Sequence, residues 1–349
     1  MQLLENTSRV WLSLCQLALI TGAACGGEDT DAIAPGEVID LATFSSNEET
    51  GRPRLLAVGD GDVFWVDMSG ALKRVAKTGG DAAELAVDTR IPMDLTASSD
   101  SVFWVVDGTM VGEPGAILRV PLDGGAATEV VQAEIRAVAA DDERLYWTEG
   151  NENLDAAAGR VLAAAHDGGN ATLLDQGSGD TGDLTVDGES VYWAAATFEL
   201  SDRRDSIYRV AKSGGERAAL APVGGRVTFG TLEAFGDEVW FHDWNGNVVH
   251  LPSSGGSLET AAEGRWFEIA SKGLVVLETD TSYRLVELAA DGSRTVLVES
   301  ESPIDLMAAD ESSVYWVEWK TVCVKEENVG KHNQCVESHH DGRIARVGL

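Results

Sequence analysis

The 349-residue chain is short of basic residues: Lys and Arg total 26 against 58 Asp and Glu, a formal net charge of -32. A nucleic-acid partner is excluded on that ground, because a phosphate backbone demands a basic face. Cysteine is scarce too, and four residues rule out a disulfide-dense miniature scaffold. No apolar run reaches the roughly 20 residues that span a bilayer as a helix. No window carries a 3.6-residue apolar period, so almost no helix is expected. Catalytic signatures are missing as well. There is no Gly-x-Ser-x-Gly elbow and no Walker loop, so no catalytic residue, cofactor or metal is assigned. With 44% hydrophobic residues, the chain still has enough for a sizeable core.

What the chain does have is an internal repeat. Val63-Phe64-Trp65, Val102-Phe103-Trp104, Leu145-Tyr146-Trp147, Val191-Tyr192-Trp193 and Val314-Tyr315-Trp316 recur, with degenerate copies at Val239-Trp240-Phe241 and Leu274-Val275-Val276. The spacing averages about 42 residues, within the range of a propeller blade. Each copy continues with a third strand such as Ile117 to Val120, then a Gly-rich turn such as Thr78-Gly79-Gly80, then a short fourth strand such as Thr128 to Val131. Glycine supplies the positive φ that such turns require. Four antiparallel strands per unit predict an all-β, seven-bladed β-propeller. A six-bladed ring with a stray copy is the alternative, because the sixth copy is the weakest. The seventh copy stops at Leu349 without a fourth strand, whereas Glu37 to Ala42 precede the first copy unclaimed. That stretch is expected to complete the last blade, since an open ring would leave unpaired strand edges.

The repeated tryptophans read as packing between blades rather than as a ligand cage. Burying one such ring removes about 150 to 250 Å², roughly 4 to 6 kcal/mol gross. Leu145-Tyr146-Trp147-Thr148-Glu149, with Ile207-Tyr208-Arg209 and Leu122-Asp123-Gly124, resembles the YWTD repeat of lipoprotein-receptor propellers. The set is also similar to repeat lipoproteins of predatory soil bacteria. The resemblance covers about residues 55 to 349 and implies the propeller fold.

Residues Val10 to Ile20 form an apolar run of signal-peptide length, followed by Thr21-Gly22-Ala23-Ala24-Cys25. This resembles a bacterial lipobox, which implies cleavage after residue 24 and lipidation of Cys25; plain secretion is the competing reading. Residues 25–36 then read as a flexible acidic tether, and 37–349 as a single propeller domain. Gly26 and Gly27 after the cysteine point by analogy to the outer membrane, facing periplasm or exterior.

Counting back eight or nine residues from each repeated strand gives Arg54, Asp94, Arg136, Asp183, Thr231, Arg265 and Asp305. These are expected to rim the channel mouth, either as a belt of salt bridges between blades or as a polar ligand site. Long loops are expected on the same face at Asp107 to Gly115, Glu149 to Gly159, Thr197 to Asp205 and Glu318 to Asp341. Binding tends to reside in such loops on a rigid scaffold. Cys323 and Cys335 in the last loop suit a disulfide, worth about 3 kcal/mol; zinc held with His332, His339 and His340 is the competing reading. His242 beside Asp243 is expected to be surface chemistry, and His166 falls in a Gly-Gly turn. The resulting expectation is a non-catalytic module that binds a protein, peptide or glycan through the long-loop face, with a lipid anchor. The alternative is a metal-assisted enzyme like the gluconolactonase-like or lyase propellers.

Overall fold

The computed structural model describes residues 35–46, 51–108, 114–123, 125–150, 159–199, 202–223, 227–243, 245–270, 273–289, 291–329 and 332–349. These form seven four-stranded antiparallel sheets. The inner strands are Pro53–Val58, Pro92–Ala97, Ile135–Ala140, Asp180–Val186, Val227–Phe235, Trp266–Ala270 and Ile304–Ala309, in blades 1 to 7. Each inner strand contacts the next, and the seventh contacts the first. The chain is therefore a closed, seven-bladed β-propeller, not a six-bladed one. The weak sixth copy builds a complete sheet from Trp266 to Ser300.

Closure works as the repeat count implies. Blade 7 takes its inner strand and its two middle strands, Ser313–Val329 and His332–Gly348, from the carboxy-terminal end of the chain. Its outer strand is the amino-terminal Val38–Ser46, in register from Val38↔Val347 to Ser46↔His340. Gly36 N also donates to Gly348 O at 2.9 Å. Leu41, 2% exposed, enters a cluster shared with Val63, Trp65 and Val75 of blade 1 and Tyr315, Val317 and Ile344 of blade 7.

The second strands carry the core. In the five intact doublets, the first aromatic faces the following blade and the Trp faces the preceding one. Phe103 packs with Ile135, Leu145 and Trp147 of blade 3, while Trp104 packs with Phe64, Val66 and Leu72 of blade 1. In blades 3 and 7 the Asp of the turn after the inner strand adds a second tie. Asp141 Oδ2 accepts from Tyr146 Oη at 2.9 Å and from Lys212 Nζ of blade 4 at 2.6 Å. Asp310 repeats this with Tyr315 and with Lys77 of blade 1, both at 2.7 Å. Burial alone would raise Asp141, but Lys212, two backbone N–H groups and Tyr146 outweigh it and hold it down to about 2. His166 fills the same place between blades 2 and 3, with Nδ1 3.0 Å from Asp100 and Nε2 2.9 Å from Asp141 O.

Candidate functional site

Inner strands are sheet edges, and their channel-facing N–H groups have no ladder partner. Acidic side chains from the preceding blade supply one. Asp94 Oδ2 accepts from Val138 N at 2.8 Å, and Glu233 Oε2 accepts from Ile269 N at 3.2 Å. Glu268 likewise bonds the Ala309 backbone, and its Oε1 accepts from Trp266 Nε1 at 3.0 Å. All of these residues line a central cavity of about 570 Å³ that is bounded by the ring of inner strands.

Burial pushes Asp94 up to about 7, against its two backbone N–H bonds and with help from the charge of Asp183. Burial also raises Glu233 and Glu268, and each carboxylate's charge disfavours ionisation of the other. The channel interior thus holds carboxyl groups that keep protons near neutral pH.

Arg54, Asp94, Arg136 and Asp183 all line this cavity. Arg265 and Asp305 do not; they line an adjoining recess of about 360 Å³ with Arg52, Arg54 and Met68. The single rim of alternating charge is corrected by bulges in the inner strands. Pairing skips Arg54 between Pro53 and Leu55, Arg136 between Ile135 and Ala137, and Asp305 between Ile304 and Leu306. In blade 2 the skipped residue is Met93, so Asp94 lies one position further along, level with Leu55 and Ala137. A count of eight or nine residues crosses the bulge in some blades and not in others. The predicted residues therefore occupy two levels. The belt of ion pairs is realised around Asp305, which pairs with Arg52 of blade 1 and lies 4.0 Å from Arg265 of blade 6. Arg136 instead pairs with Glu134 of its own strand entry at 3.0 Å. The Thr231 side chain lies outside those described.

Sequence reasoning missed Glu233 and Glu268. A signal was present, because the same level in the other blades holds Ala57, Thr96, Ala139, Thr185 and Ala308. Only two blades place a long carboxylate there. His242 is not surface chemistry. It is 6% exposed, its ring centroid lies 5.0 Å from that of Phe267 at a tilt of 59°, and its Nε2 lies 3.0 Å from Gly264 O. Burial lowers its pKa, so it stays neutral as a seam residue between blades 5 and 6.

Two of the four expected long loops are strands instead. In blade 4, pairing continues to Glu199↔Asp202. In blade 7 it runs from Ser313↔Gly348 to Val329↔His332. Residues 109–113 and 151–158, which make up most of the other two, lie outside the described residues, as do Cys25 and the side chains of Cys335, His332, His339 and His340. Among the described residues, no group of three or more His, Cys, Asp or Glu is placed to hold a metal ion. No helix among them is long and apolar enough to cross a membrane.

No family model and no curated protein matches the chain. Solved structures do. The computationally designed Ika8 protein is 14% identical, with 89% of this chain and 99% of that one covered and a TM-score of 0.55. PorZ, an essential surface component of the type-IX secretion system of Porphyromonas gingivalis, is 15% identical; the match spans 78% of this chain and 36% of PorZ, with a TM-score of 0.51. A chain of the nidogen/laminin complex is 18% identical, with 68% and 92% covered and a TM-score of 0.49. The shared feature is the propeller fold. At such identities it carries no activity across.

Proposed function

We propose that this propeller is a non-catalytic binding or assembly module of the bacterial cell envelope. It would be anchored through lipidated Cys25 and held off the membrane by residues 25–36. On this reading it engages a protein, peptide or glycan through the face that carries the blade 7 hairpin. The outer-membrane site and a YWTD-like ancestry belong to the same proposal, supported by the lipobox-like run and by the aromatic doublets at the core of each seam.

The observation that carries this reading is the hairpin itself. The inner strand of blade 7 ends its pairing at Ile304↔Glu318, and the outer strand ends at Ser46↔His340, opposite Thr321. From Val322 to Val329 the two middle strands continue alone. At about 3.3 Å per residue that is a ribbon of roughly 25 Å. A two-stranded ribbon is marginally stable by itself. It needs a staple or a partner, and a Cys323–Cys335 disulfide would be the staple. The two cysteines lie on facing strands, with Cys323 opposite Ser338 and Cys335 opposite Glu326. The use of such a projection is reach.

The test is co-purification of the anchored form from membranes in mild detergent, alongside fatty-acid labelling. A stoichiometric partner, with labelling lost in Cys25→Ser, supports the proposal. Turnover of a lactone or polysaccharide by the isolated protein without any partner contradicts it.

A further inference from the structure

The recess beside the channel mouth is basic in a chain whose acids outnumber its bases 58 to 26. Arg52, Arg54 and Arg265 line it, and Asp305 is the sole carboxylate in its wall. That carboxylate is already engaged. Arg52 Nη2 and Trp319 Nε1 both donate to Asp305 Oδ2, and the Arg52 guanidinium lies 3.9 Å over the Trp319 ring. Asp305 and Trp319 thus hold Arg52 in place. The other two guanidinium groups keep their forks available. Arg54 is exposed, and its one side-chain bond is a 3.8 Å contact to Met68 Sδ. Arg265, with its side chain 58% exposed, comes no nearer than 4.0 Å to Asp305. The backbone fixes both bases. Arg54 is the bulged residue of its strand, re-aimed out of the ladder, and Arg265 N is tied to Leu277 O at 2.9 Å.

We infer that this recess binds an oxyanion group, carboxylate or phosphate, presented by a ligand of about monosaccharide size. The planar fork of arginine matches both oxyanions bidentately, and three guanidinium groups against one carboxylate leave a surplus of positive charge around one space of about 360 Å³. Trp319 lies on the strand that continues into the hairpin, so the recess sits at the foot of the proposed recognition surface. The inference names the chemistry of that surface and to this extent rests on the proposed function.

The test is isothermal titration of the full chain at low ionic strength with sodium glucuronate, inorganic phosphate and neutral glucose. Saturable binding of glucuronate or phosphate but not of glucose is expected; whichever binds identifies the oxyanion. The Arg54→Gln/Arg265→Gln double variant should weaken that binding about ten- to a hundredfold, as loss of two charge-assisted contacts implies. Both side chains are exposed, so its melting temperature should match the parent. Binding of neither anion, or undiminished binding by the double variant, overturns the inference. Neither result touches co-purification of a partner, so failure here is distinguishable from failure of the proposed function.

Discussion

Replacing Leu41 with alanine should weaken the whole ring, although Leu41 belongs to a strand at the far amino-terminal end of the domain. Its side chain is 2% exposed and packs against residues of both blade 1 and blade 7. A Leu→Ala change at such a site costs about 2 to 5 kcal/mol, the lost transfer energy plus the cavity left behind. For a domain of this size, about 3 kcal/mol corresponds to a fall in melting temperature of about 4 to 5 °C. Scanning calorimetry measures it directly. Val38→Ala, on the same strand but 41% exposed, is the control and should shift melting little. Excising Val38–Ser46 removes every pair along the register and bares the His332–Gly348 edge, so aggregation is expected on size exclusion. A Leu41→Ala protein melting within 1 °C of the parent, or an excised protein that stays monomeric with unchanged melting, would refute the closure argument (thresholds set at about the size of surface effects).

Stability should peak in mild acid. Asp94, raised to about 7 from 3.8, disfavours the fold increasingly as pH climbs from about 4 through 7, by up to about 4 kcal/mol. Asp141 and Asp310, held down to about 2, stabilise the fold fully above 3.8 and cease to do so as pH falls through 2. Asp94→Asn should therefore flatten the alkaline limb of a urea-midpoint profile; an unchanged limb counts against a desolvated Asp94. Gly70→Ala should be severe, above about 3 kcal/mol, because φ is +82° and a Cβ would lie 1.6 Å from Asp88 O. Gly188→Ala, in open space at ordinary φ, should be neutral in the same melt. Lys212→Ala should cost about 1 to 3 kcal/mol by leaving the Asp141 carboxylate without its cation; a neutral result would show that the tie between blades 3 and 4 is idle.

The architecture was legible because one physical demand recurs seven times. Most seams take a second-strand aromatic from either side, so Phe103–Trp104, Tyr146–Trp147 and Tyr192–Trp193 mark their strands at propeller spacing. The missing fourth strand of the last copy and the spare stretch before the first pointed to closure for the same reason. The site was less legible. Bulges at Arg54, Met93, Arg136 and Asp305 shift the inner strands by one position, and nothing in a residue count reveals a bulge. Glu233 and Glu268 escaped because their blades carry the degenerate doublets, which made alignment with Ala57 or Thr96 uncertain. Polar composition suggested loops at 197–205 and 318–341, yet a two-stranded ribbon of paired strands tolerates polar residues on both faces. His242 looked exposed beside Asp243, whereas the preceding Phe241 already belongs to a buried strand.

The central claim is that recognition takes place on the hairpin face. Site-specific photo-crosslinking in the intact envelope addresses it directly, with the reactive group at Val322 on the ribbon or at Ser213 in a Gly-Gly turn on the opposite face. The account predicts one discrete cross-linked species from Val322 and none from Ser213. Cross-linking from Ser213 alone, or from neither position, would contradict it.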